Sequence, residues 1–562
     1  MLAQNTRSTG LQRYSLLFIW FSLYIVFMQE SYERFLKYTS DLKSREKTGL
    51  LVKNEAILSI ALVYPNSYEV AMANLGYQSL YRLLNTAPGV RCERACYYSE
   101  FPTITRTIES AERLTHFDII AFSISFEPDY LNVIRILRNS GLDLYAEKRH
   151  ELDPLVLAGG TATFINPVPL APFTDIFFLG EVDPHIHFML QQIKDGIDQK
   201  SDKKSIIENL AKETYIHAPH IDGKQGKKVT VASAPASITP QYSSIVTPGS
   251  HFENMFLVEV GRGCGRRCRF CAASHIYHPL RFFSKELILE TIEKNIHDTD
   301  KVGLVGAALC DLPDITGLCD QLVQKGYKLG LSSFRFETIS DNFLNVLKKA
   351  DVSTITLAPE AGTVRLRKII NKPISDAVIA HAFEKIAGSE ISTIKLYFLV
   401  GLPFEAESDI QGIIDFVLNA RSILDDHSKH RKSLTVSVNA FIPKPFTPFQ
   451  WCRMADIKYL KKVRRKIDAG LSNRPGIQVT RKNARSEMMQ AIIALGDDTI
   501  SDDLVSLADA EITQQEFIQR HESIALSAKE MASPLPWDFI DYRVTKERLW
   551  RSWISSEAMR PR

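Results

Sequence analysis

The chain has 562 residues, of which 45% are hydrophobic and 24% charged, proportions typical of a soluble globular protein with about three domains. The formal net charge of +3 is too small to indicate a nucleic acid or an anionic surface as a partner. The eight cysteines are too sparse for a scaffold stapled by disulfides.

The N-terminal segment, residues 1–50, contains an uncharged apolar run from Tyr14 to Met28, preceded by Arg7 and Arg13. A signal peptide has this order, but no small-residue cleavage site follows the run. The run is also shorter than the ~20 residues that span a bilayer comfortably. We therefore expect a buried helix or an overextended start, with Met28 as the first residue, in a cytoplasmic protein. A membrane anchor is the alternative.

Residues 51–196 alternate apolar runs with helical patterns. Asn74–Leu84 is predicted to be a helix, and the predicted strands are Ser59–Val63, Asp118–Ser123, Leu155–Ala158 and Asp175–Leu179. Strand and helix in repetition indicate a parallel, doubly wound, Rossmann-type sheet. Residues 197–250 are polar and irregular, and we interpret them as a linker with a hairpin around Gly223–Val231.

Residues 251–450 contain six apolar strand-like runs separated by helical patterns. The runs are Met255–Val260, Val302–Gly306, Leu329–Phe334, Thr354–Ala358, Thr393–Leu399 and Leu434–Phe441. Six such units predict a partial (β/α)6 barrel, related to the TIM barrel, with its chemistry at the C-terminal ends of the strands.

Residues 451–562 are predicted to form a helical C-terminal extension. An apolar stripe marks its first helix, which should end near Gly470, and consists of Ile457, Leu460, Val463 and Ile467. Lysines and arginines, Arg464 among them, occupy the opposite face, and we interpret that face as solvated.

The segment Glu259–Arg281 carries the strongest chemical signal. Cys264, Cys268 and Cys271 have CxxxCxxC spacing on a glycine-rich loop directly after the first barrel strand. Cysteine thiolates are the usual ligands of iron–sulfur clusters. Three thiolates leave one iron of a four-iron cluster open to another ligand. The alternative is a structural zinc site with His275 as the fourth ligand.

The motifs GRGCGRRCRFC, LVGAALCDLPD, LAPEAGTVRLRKIINK, IKLYFLVGLPFE and VNAFIPKPFTPFQW resemble the radical S-adenosylmethionine (SAM) superfamily. Before the barrel, YPNSYEVAMANLGYQSLYRLLN, FDIIAFSISFEPD, LAGGTATFINP and DIFFLGEVDP resemble its subgroup with an N-terminal cobalamin-binding-like domain. The resemblance implies a 4Fe–4S cluster on the three cysteines, SAM at the open iron, and an electron donor such as flavodoxin or ferredoxin. Reductive cleavage of SAM would then give a 5′-deoxyadenosyl radical that takes hydrogen from a substrate, which the sequence does not name.

The same resemblance implies six SAM-binding residues in the barrel. Phe270 would pack on the adenine, and the other five would contact the ribose, the carboxylate or the adenine side: Ser332, Ser333, Arg335, Glu360 and Asn439. Asp311 stands where many relatives have a Gly-Gly-Glu stretch, which leaves recognition of the methionyl amine open.

Cobalamin domains that replace the lower base of the cofactor use the pattern D-x-H-x-x-G. The nearest pattern here is Asp183-Pro184-His185, without the glycine. We therefore expect cobalamin to be bound without a histidine ligand, or not at all. The strand-end residues that would line its site are Asn74, Gly76, Ser123, Gly159 and Gly160.

The leading hypothesis is a cobalamin-dependent radical SAM enzyme that methylates an unactivated carbon. One alternative is a radical SAM enzyme without cobalamin, such as a methylthiotransferase. Those relatives carry three further cysteines in the first domain, where this chain has only Cys92 and Cys96. The other alternative is a protein that binds a cluster or zinc without turnover.

Overall fold

The computed structural model describes residues 29–559, except residues 54, 224–226, 236–237, 429 and 473. The apolar run Tyr14–Met28 therefore lies outside the described residues. Residues 29–45 are the described part of the first helix, α1. Within the described part of the chain, no helix is both long enough and apolar enough to cross a membrane.

A six-stranded sheet forms the first unit and contains the four strands predicted there. Its order is β2-β1-β3-β4-β5-β6, and all neighbours are parallel except β6, which is antiparallel to β5. The strands are β1 (Leu58–Tyr64), β2 (Val90–Cys96), β3 (Ile119–Ser123), β4 (Leu155–Gly159), β5 (Ile176–Phe178) and β6 (Ile216–His217). Strand β2 was not predicted, because its VRCERAC pattern places charged residues in a buried strand.

Helices pack on both faces of this sheet, as in other doubly wound folds. Ile120 and Phe122 of β3 pack with α4, whereas Ile119 and Ala121 face α3 and α6. The helices are α2 (Tyr68–Ala73), α3 (Leu75–Thr86), α4 (Tyr130–Ser140), α5 (Thr161–Ile165), α6 (Ile186–Asp198), α7 (Lys203–Leu210) and α8 (Pro219–Asp222). The alternating apolar residues of each strand therefore fill two separate cores.

The predicted hairpin around Gly223–Val231 is wrong. Strand β7 (Val229–Thr230) pairs in parallel with β17 (Ile540–Asp541), which lies in the C-terminal extension. Short polar segments show where a strand can form but not which distant strand will pair with it. The domain boundaries given above stay predictions.

The barrel contains all six predicted strands, arranged as two parallel sheets. One has the order β12-β11-β8 and the other β13-β14-β15-β16, and a bridge from Phe334 to Leu357 links them. The strands are β8 (Met255–Glu259), β11 (Lys301–Val305), β12 (Lys328–Leu331), β13 (Thr354–Glu360), β14 (Thr393–Val400), β15 (Ser433–Ala440) and β16 (Ile477–Arg481). The seventh strand, β16, was not predicted because it has only 5 residues and ends in a charged one, Arg481.

A hairpin interrupts the barrel after β8, formed by β9 (Gly261–Arg262) and β10 (Arg281–Phe282). The helices of this region are α9 (Ala273–Ile276), α10 (Lys285–Asn295), α11 (Ile315–Gln324), α12 (Asp341–Lys349), α13 (Val364–Ile369), α14 (Asp376–Ala387) and α15 (Glu407–His427). Their apolar sides cover the outer surfaces of both sheets.

The C-terminal extension is mainly helical, as predicted. Its helices are α16 (Ile457–Leu471), α17 (Ala484–Leu495), α18 (Ser501–Ala508), α19 (Gln514–Leu526) and α20 (Lys546–Glu557). The stripe residues Leu460, Val463 and Ile467 are buried, and the helix ends at Leu471, next to the predicted Gly470. One detail of the prediction is wrong: Arg464 is buried in an ion pair with Glu487 at 2.7 Å instead of facing solvent.

Candidate active site

The three predicted cluster cysteines lie in the loop of the β9–β10 hairpin. Arg262 and Arg281 face each other at the base of this hairpin, and Cys264, Cys268 and Cys271 fall between them in the chain. The hairpin follows β8 directly and so projects from the C-terminal end of the first barrel strand. Active sites of barrel enzymes lie at this end. We call residues 263–280 the cluster loop.

The three thiols affect one another electrostatically. Burial raises the pKa of Cys268 to about 11, Lys372 opposes this rise, and the other two thiols add to it. Burial also raises the pKa of Cys271, and Cys264 adds to that rise. Buried thiols held as thiolates need a cation to stabilise them, which is what iron supplies. The cluster loop therefore fits a cluster held by three thiolates.

The zinc alternative has less support in the geometry. His275 is buried, its Nε2 has no hydrogen-bond partner in the structure, and burial lowers its pKa to about 4. Among the described residues, no three His, Cys, Asp or Glu side chains are placed to hold a single metal ion. A cubane has a different requirement, because each thiolate binds a separate iron and the sulfurs need not converge on one point.

Arg269 anchors the cluster loop from within and was not predicted as a site residue. Its buried guanidinium donates to the carbonyl of Ile369 at 2.6 Å and, in α20, to the carbonyl of Ser552 at 2.9 Å and Ser555 Oγ at 2.8 Å. Asn371 Nδ2 also donates to a cluster-loop carbonyl, at 2.9 Å. The loop is thus fixed between the barrel and the C-terminal extension.

A buried ion pair lies beside the predicted cluster. Glu360, at the end of β13, contacts Lys372 Nζ at 3.0 Å. Burial raises the pKa of Glu360, and Lys372 opposes that rise. Both charges also act on Cys268, so the pair lies near the cluster loop. Lys372 was missed as a site residue although it ends the RKIINK motif, because a lysine in a basic run is usually a solvated one.

The predicted adenine side comes together from several segments. Phe270 packs against the same apolar cluster as Leu399 at the end of β14, Phe404 after it, and Trp553 of α20. Asn439 is the neighbour of Leu399 in the β14–β15 ladder. The C-terminal extension therefore contributes to this side of the site.

Three of the predicted residues lie apart from this group. Ser332 and Ser333 are exposed beyond the end of β12, and Arg335 forms an ion pair with Glu337 at 3.0 Å. In the described part of the chain, no hydrogen bond joins any of the three to Glu360 or Asn439. Their contact with SAM stays a prediction.

Asp311 has a structural partner. Arg266 Nε in the cluster loop donates to Asp311 Oδ2 at 2.9 Å, and this hydrogen bond lowers the pKa of Asp311. Asp311 therefore fixes the cluster loop, which accounts for an acid at this position without a contact to the methionyl amine.

A cavity of ≈ 520 Å³ lies between the C-terminal ends of the strands in the first sheet and the base of the cluster loop. We call it the interdomain cavity. It brings together all five strand-end residues predicted to line a corrinoid site: Asn74, Gly76, Ser123, Gly159 and Gly160. The barrel side contributes Gly261 and Arg262 of β9, Gly263 and Tyr277 of the cluster loop, and residues at the ends of β8 and β11, among them Glu259 and Val305.

The interdomain cavity has an apolar branch along the sheet. Its walls are the sheet face on one side and α3 and α6 on the other, and the lining residues include Leu83, Leu84, Leu157, Met189 and Leu190. Polar lining residues lie at the strand ends. Asn74 Oδ1 accepts from the backbone N–H of Tyr77 at 2.9 Å, and its Nδ2 donates to Ser125 Oγ at 3.0 Å.

Gly160 shows how closely the backbone approaches at this site. Its φ is +102°, and a Cβ there would lie 2.4 Å from the carbonyl oxygen of Ile124. Only glycine fits such a position without moving the backbone. The next residue, Thr161, shares a hydrogen bond of 2.9 Å with Tyr277 OH at the end of the cluster loop, so the two units meet across the cavity.

Charged pairs close the rim of the interdomain cavity. Glu181 contacts Arg281 at 2.6 Å, and Asp183 contacts Arg262 at 2.7 Å. His185, of the incomplete D-x-H pattern, instead packs on the ring of Tyr215 at 4.3 Å. None of the described residues that line the cavity is a histidine.

Comparison with known proteins gives a family for both units. The family model described as radical SAM proteins, N-terminal, matches residues 76–219, and that of the radical SAM superfamily matches residues 258–417. An uncharacterised protein of Methanocaldococcus jannaschii is 30% identical over 447 residues, which cover 79% of this chain and 90% of that protein. The chain belongs to the radical SAM superfamily. A 4Fe–4S cluster and SAM are the cofactors of this superfamily.

Two further proteins resemble the chain less closely. The ribosomal protein uS12 methylthiotransferase RimO of Thermodesulfovibrio yellowstonii is 25% identical over 185 residues, 28% of this chain and 40% of that protein. The radical SAM methyltransferase TsrM of Kitasatospora setae, solved with cobalamin and a [4Fe-4S] cluster bound, superposes with a TM-score of 0.50 at 11% identity, covering 83% of this chain and 99% of that chain. At this identity the likeness shows the fold alone.

Proposed function

We propose that the protein is a cobalamin-dependent radical SAM enzyme that methylates an unactivated carbon. The interdomain cavity carries this proposal, because it adjoins the cluster loop and contains every residue predicted for a corrinoid site. A radical methylase needs its methyl donor and its radical source next to one another. The interdomain cavity meets this need because residues of the cluster loop form part of its lining.

The lining of the interdomain cavity suits the parts of a corrinoid. The apolar branch between the sheet, α3 and α6 fits a flat aromatic base at the end of a nucleotide tail. Gly159 and Gly160 allow close approach of the corrin edge to the backbone, and the amide and hydroxyl groups of Asn74 and Ser123 suit its amide side chains. Because no histidine among the lining residues faces the cavity, cobalt would have no imidazole ligand from this chain.

The barrel side offers groups that suit SAM. Phe270 and Trp553 supply apolar surface for the adenine, and the Glu360–Lys372 pair supplies charge beside the cluster. When bound, SAM and the reduced cluster supply the 5′-deoxyadenosyl radical, and a methylated corrinoid supplies the methyl group. A low-potential electron donor such as flavodoxin or ferredoxin completes the system.

A methylthiotransferase is less well supported. Cys92 and Cys96 lie in β2 within the first core, and each is under 5% exposed. Burial raises the pKa of both thiols, which makes them poor ligands for an auxiliary cluster. They lie in a regular strand, whereas the cluster cysteines lie in a loop that can wrap an inorganic core.

Anaerobic assays test the proposed function. The reconstituted protein is incubated with SAM, hydroxocobalamin and dithionite, and 5′-deoxyadenosine is measured by chromatography. We expect 5′-deoxyadenosine to form and absorption spectra to show protein-bound corrinoid. A cluster-loaded protein that yields no 5′-deoxyadenosine with several reductants would contradict the radical reaction, and one that retains no corrinoid would contradict the methylase.

A further inference from the structure

The inner face of the β13–β16 sheet differs from the interior of a closed barrel. The outer face of β14 packs on helices, where Phe398 meets Phe416 of α15 at 5.3 Å between ring centroids. The alternate residues Lys395 and Tyr397 therefore face the lumen, and both are exposed. Barrel interiors are normally filled by bulky branched side chains, so an exposed lysine and tyrosine indicate an open, water-filled lumen.

On this face, Lys395 has polar neighbours at the same level of the adjacent strands, and we call such a set of neighbours a row. The strand register places Lys395 beside Thr356 and Thr435, and Gln478 continues the row on β16. None of the described residues forms an ion pair with Lys395 or a hydrogen bond with the side chains of the other three. Side-chain donors without a protein partner beside a positive charge are groups that can bind an anion.

The next row leads toward the cluster loop. Tyr397 lies beside Ser437, and Thr480 continues this row on β16. Two residues along a strand span about 7 Å, so Leu399, against the apolar cluster of Phe270, lies about 13 Å from the level of Lys395. Polar side chains thus line this face at two successive levels between Lys395 and the predicted SAM site.

We propose that this face of the lumen binds the substrate, and that the substrate is a small hydroxylated anion. Its carboxylate or phosphate pairs with Lys395, its hydroxyl groups bond to the threonine and serine rows, and its reacting carbon lies at the level of Asn439. A neutral apolar substrate would leave these donors without partners, at a cost in free energy. The role of the bound molecule rests on the proposed radical function, whereas its binding needs no turnover.

A binding experiment without reductant separates this proposal from the proposed function. D-ribose 5-phosphate is titrated into the reconstituted full-length protein by calorimetry, with D-ribose as the uncharged counterpart. We expect ribose 5-phosphate to bind at least tenfold more tightly than ribose. Lys395→Gln should weaken the phosphate ligand at least tenfold, and Lys395→Arg should retain most of its affinity.

Lys461→Gln is the matched control, because Lys461 is an exposed lysine on α16 far from the lumen rows in the sheet. We expect it to bind ribose 5-phosphate as the wild type does. Equal binding of ribose and ribose 5-phosphate, unchanged binding by Lys395→Gln, or no binding by the folded wild type would each overturn the proposal. A protein that binds the phosphate but never cleaves SAM would leave the anion site standing and contradict the radical function alone.

Discussion

The cluster loop and the interdomain cavity are adjacent, yet they are encoded in different ways. The cluster loop is local: its three cysteines lie within eight residues of one hairpin. The interdomain cavity is assembled from segments spread between Ile60 and Ala307. A local site can be recognised from a motif alone, whereas an assembled site becomes visible only when the topology is known.

The two regions also tolerate change differently. The cluster loop is held by directional bonds, such as those of Arg269 to α20. The interdomain cavity depends on space, which Gly160 preserves by lacking a side chain. We therefore expect loss of a ligand or anchor to affect the cluster, and added volume to affect the cavity.

The largest effect should come from the cluster ligands. Replacing Cys264, Cys268 and Cys271 together by alanine removes all three thiolates, so cleavage of SAM should fall below detection, a loss of at least a hundredfold. Iron and sulfide analysis after reconstitution measures the cluster. Cys319→Ala, in the core of α11, should retain the cluster. A full complement of iron and sulfide in the triple variant would show that other residues hold the cluster.

The second effect should be confined to the cavity. Gly160→Ala places a methyl group 2.4 Å from a backbone oxygen and forces a strained φ, which should cost about 1–3 kcal/mol. We expect corrinoid retention to fall at least tenfold while the iron content is unchanged. Gly141→Ala is the control, because Gly141 also has a positive φ but nothing lies within 4 Å of its Cβ.

If Gly160→Ala lost iron and corrinoid equally, the two regions would not be separable, and the comparison drawn above would be wrong. Equal corrinoid binding by Gly160→Ala and the wild type would remove the first domain from the corrinoid site. Thermal unfolding of both glycine variants separates a loss of binding from a loss of fold.

Much of the fold could be predicted from the sequence, because the central strands are buried apolar runs. DIIAFS and DIFFL are continuous apolar runs typical of strands buried on both faces, and β13, β14 and β15 of the barrel alternate buried apolar residues with more exposed ones. Strands that depend on distant partners were missed: β2 buries Arg94 through ion pairs with Glu46 and Glu109. Nothing in VRCERAC shows those partners.

The same limit applies to the candidate site. The cysteines were found from their spacing alone. Arg269 and Lys372 were missed, since an arginine or lysine in a basic segment is usually solvated, and only the fold shows that Arg269 reaches α20. Asn74, Gly159 and Gly160 were placed by the rule that parallel sheets bind ligands at the ends of their strands.

A smaller effect should follow from loosening the cluster loop. Arg269→Ala leaves the carbonyls of Ile369 and Ser552 without their donor, which should cost about 2–4 kcal/mol of stability. We expect cluster occupancy to fall several-fold and trypsin to cleave faster within residues 546–557. Arg551→Lys changes an exposed arginine of the same helix but keeps a trypsin site there, and should change neither. Unchanged cluster occupancy and proteolysis in Arg269→Ala would show that α20 does not hold the loop.

The smallest effect concerns a buried acid beside the first sheet. Burial raises the pKa of Asp129 to about 7, its Oδ1 accepts from Asn66 Nδ2 at 2.7 Å, and its Oδ2 has no partner in the structure. The folded protein thus favours the neutral acid. Its contribution to stability is complete below about pH 4, the unfolded pKa, and is lost as the pH rises through 7.

Asp129→Asn should abolish this pH-dependent loss. At pH 8 we expect the variant to be more stable than the wild type by about 1–2 kcal/mol, and at pH 4 the difference should vanish. Urea unfolding at both pH values measures it. Asp351→Asn, at an exposed position, should show no such dependence. A variant less stable than the wild type at pH 8 would mean that the carboxylate is charged and has a partner.

The central claim is that a corrinoid occupies the interdomain cavity beside the cluster. Electron paramagnetic resonance of the reconstituted protein with cob(II)alamin tests it most directly. The account predicts a bound cob(II)alamin signal without nitrogen splitting from a protein histidine, and faster relaxation of that signal when the cluster is reduced, because the two centres are neighbours. A signal identical to that of free cob(II)alamin, or one split by a histidine nitrogen, would contradict it.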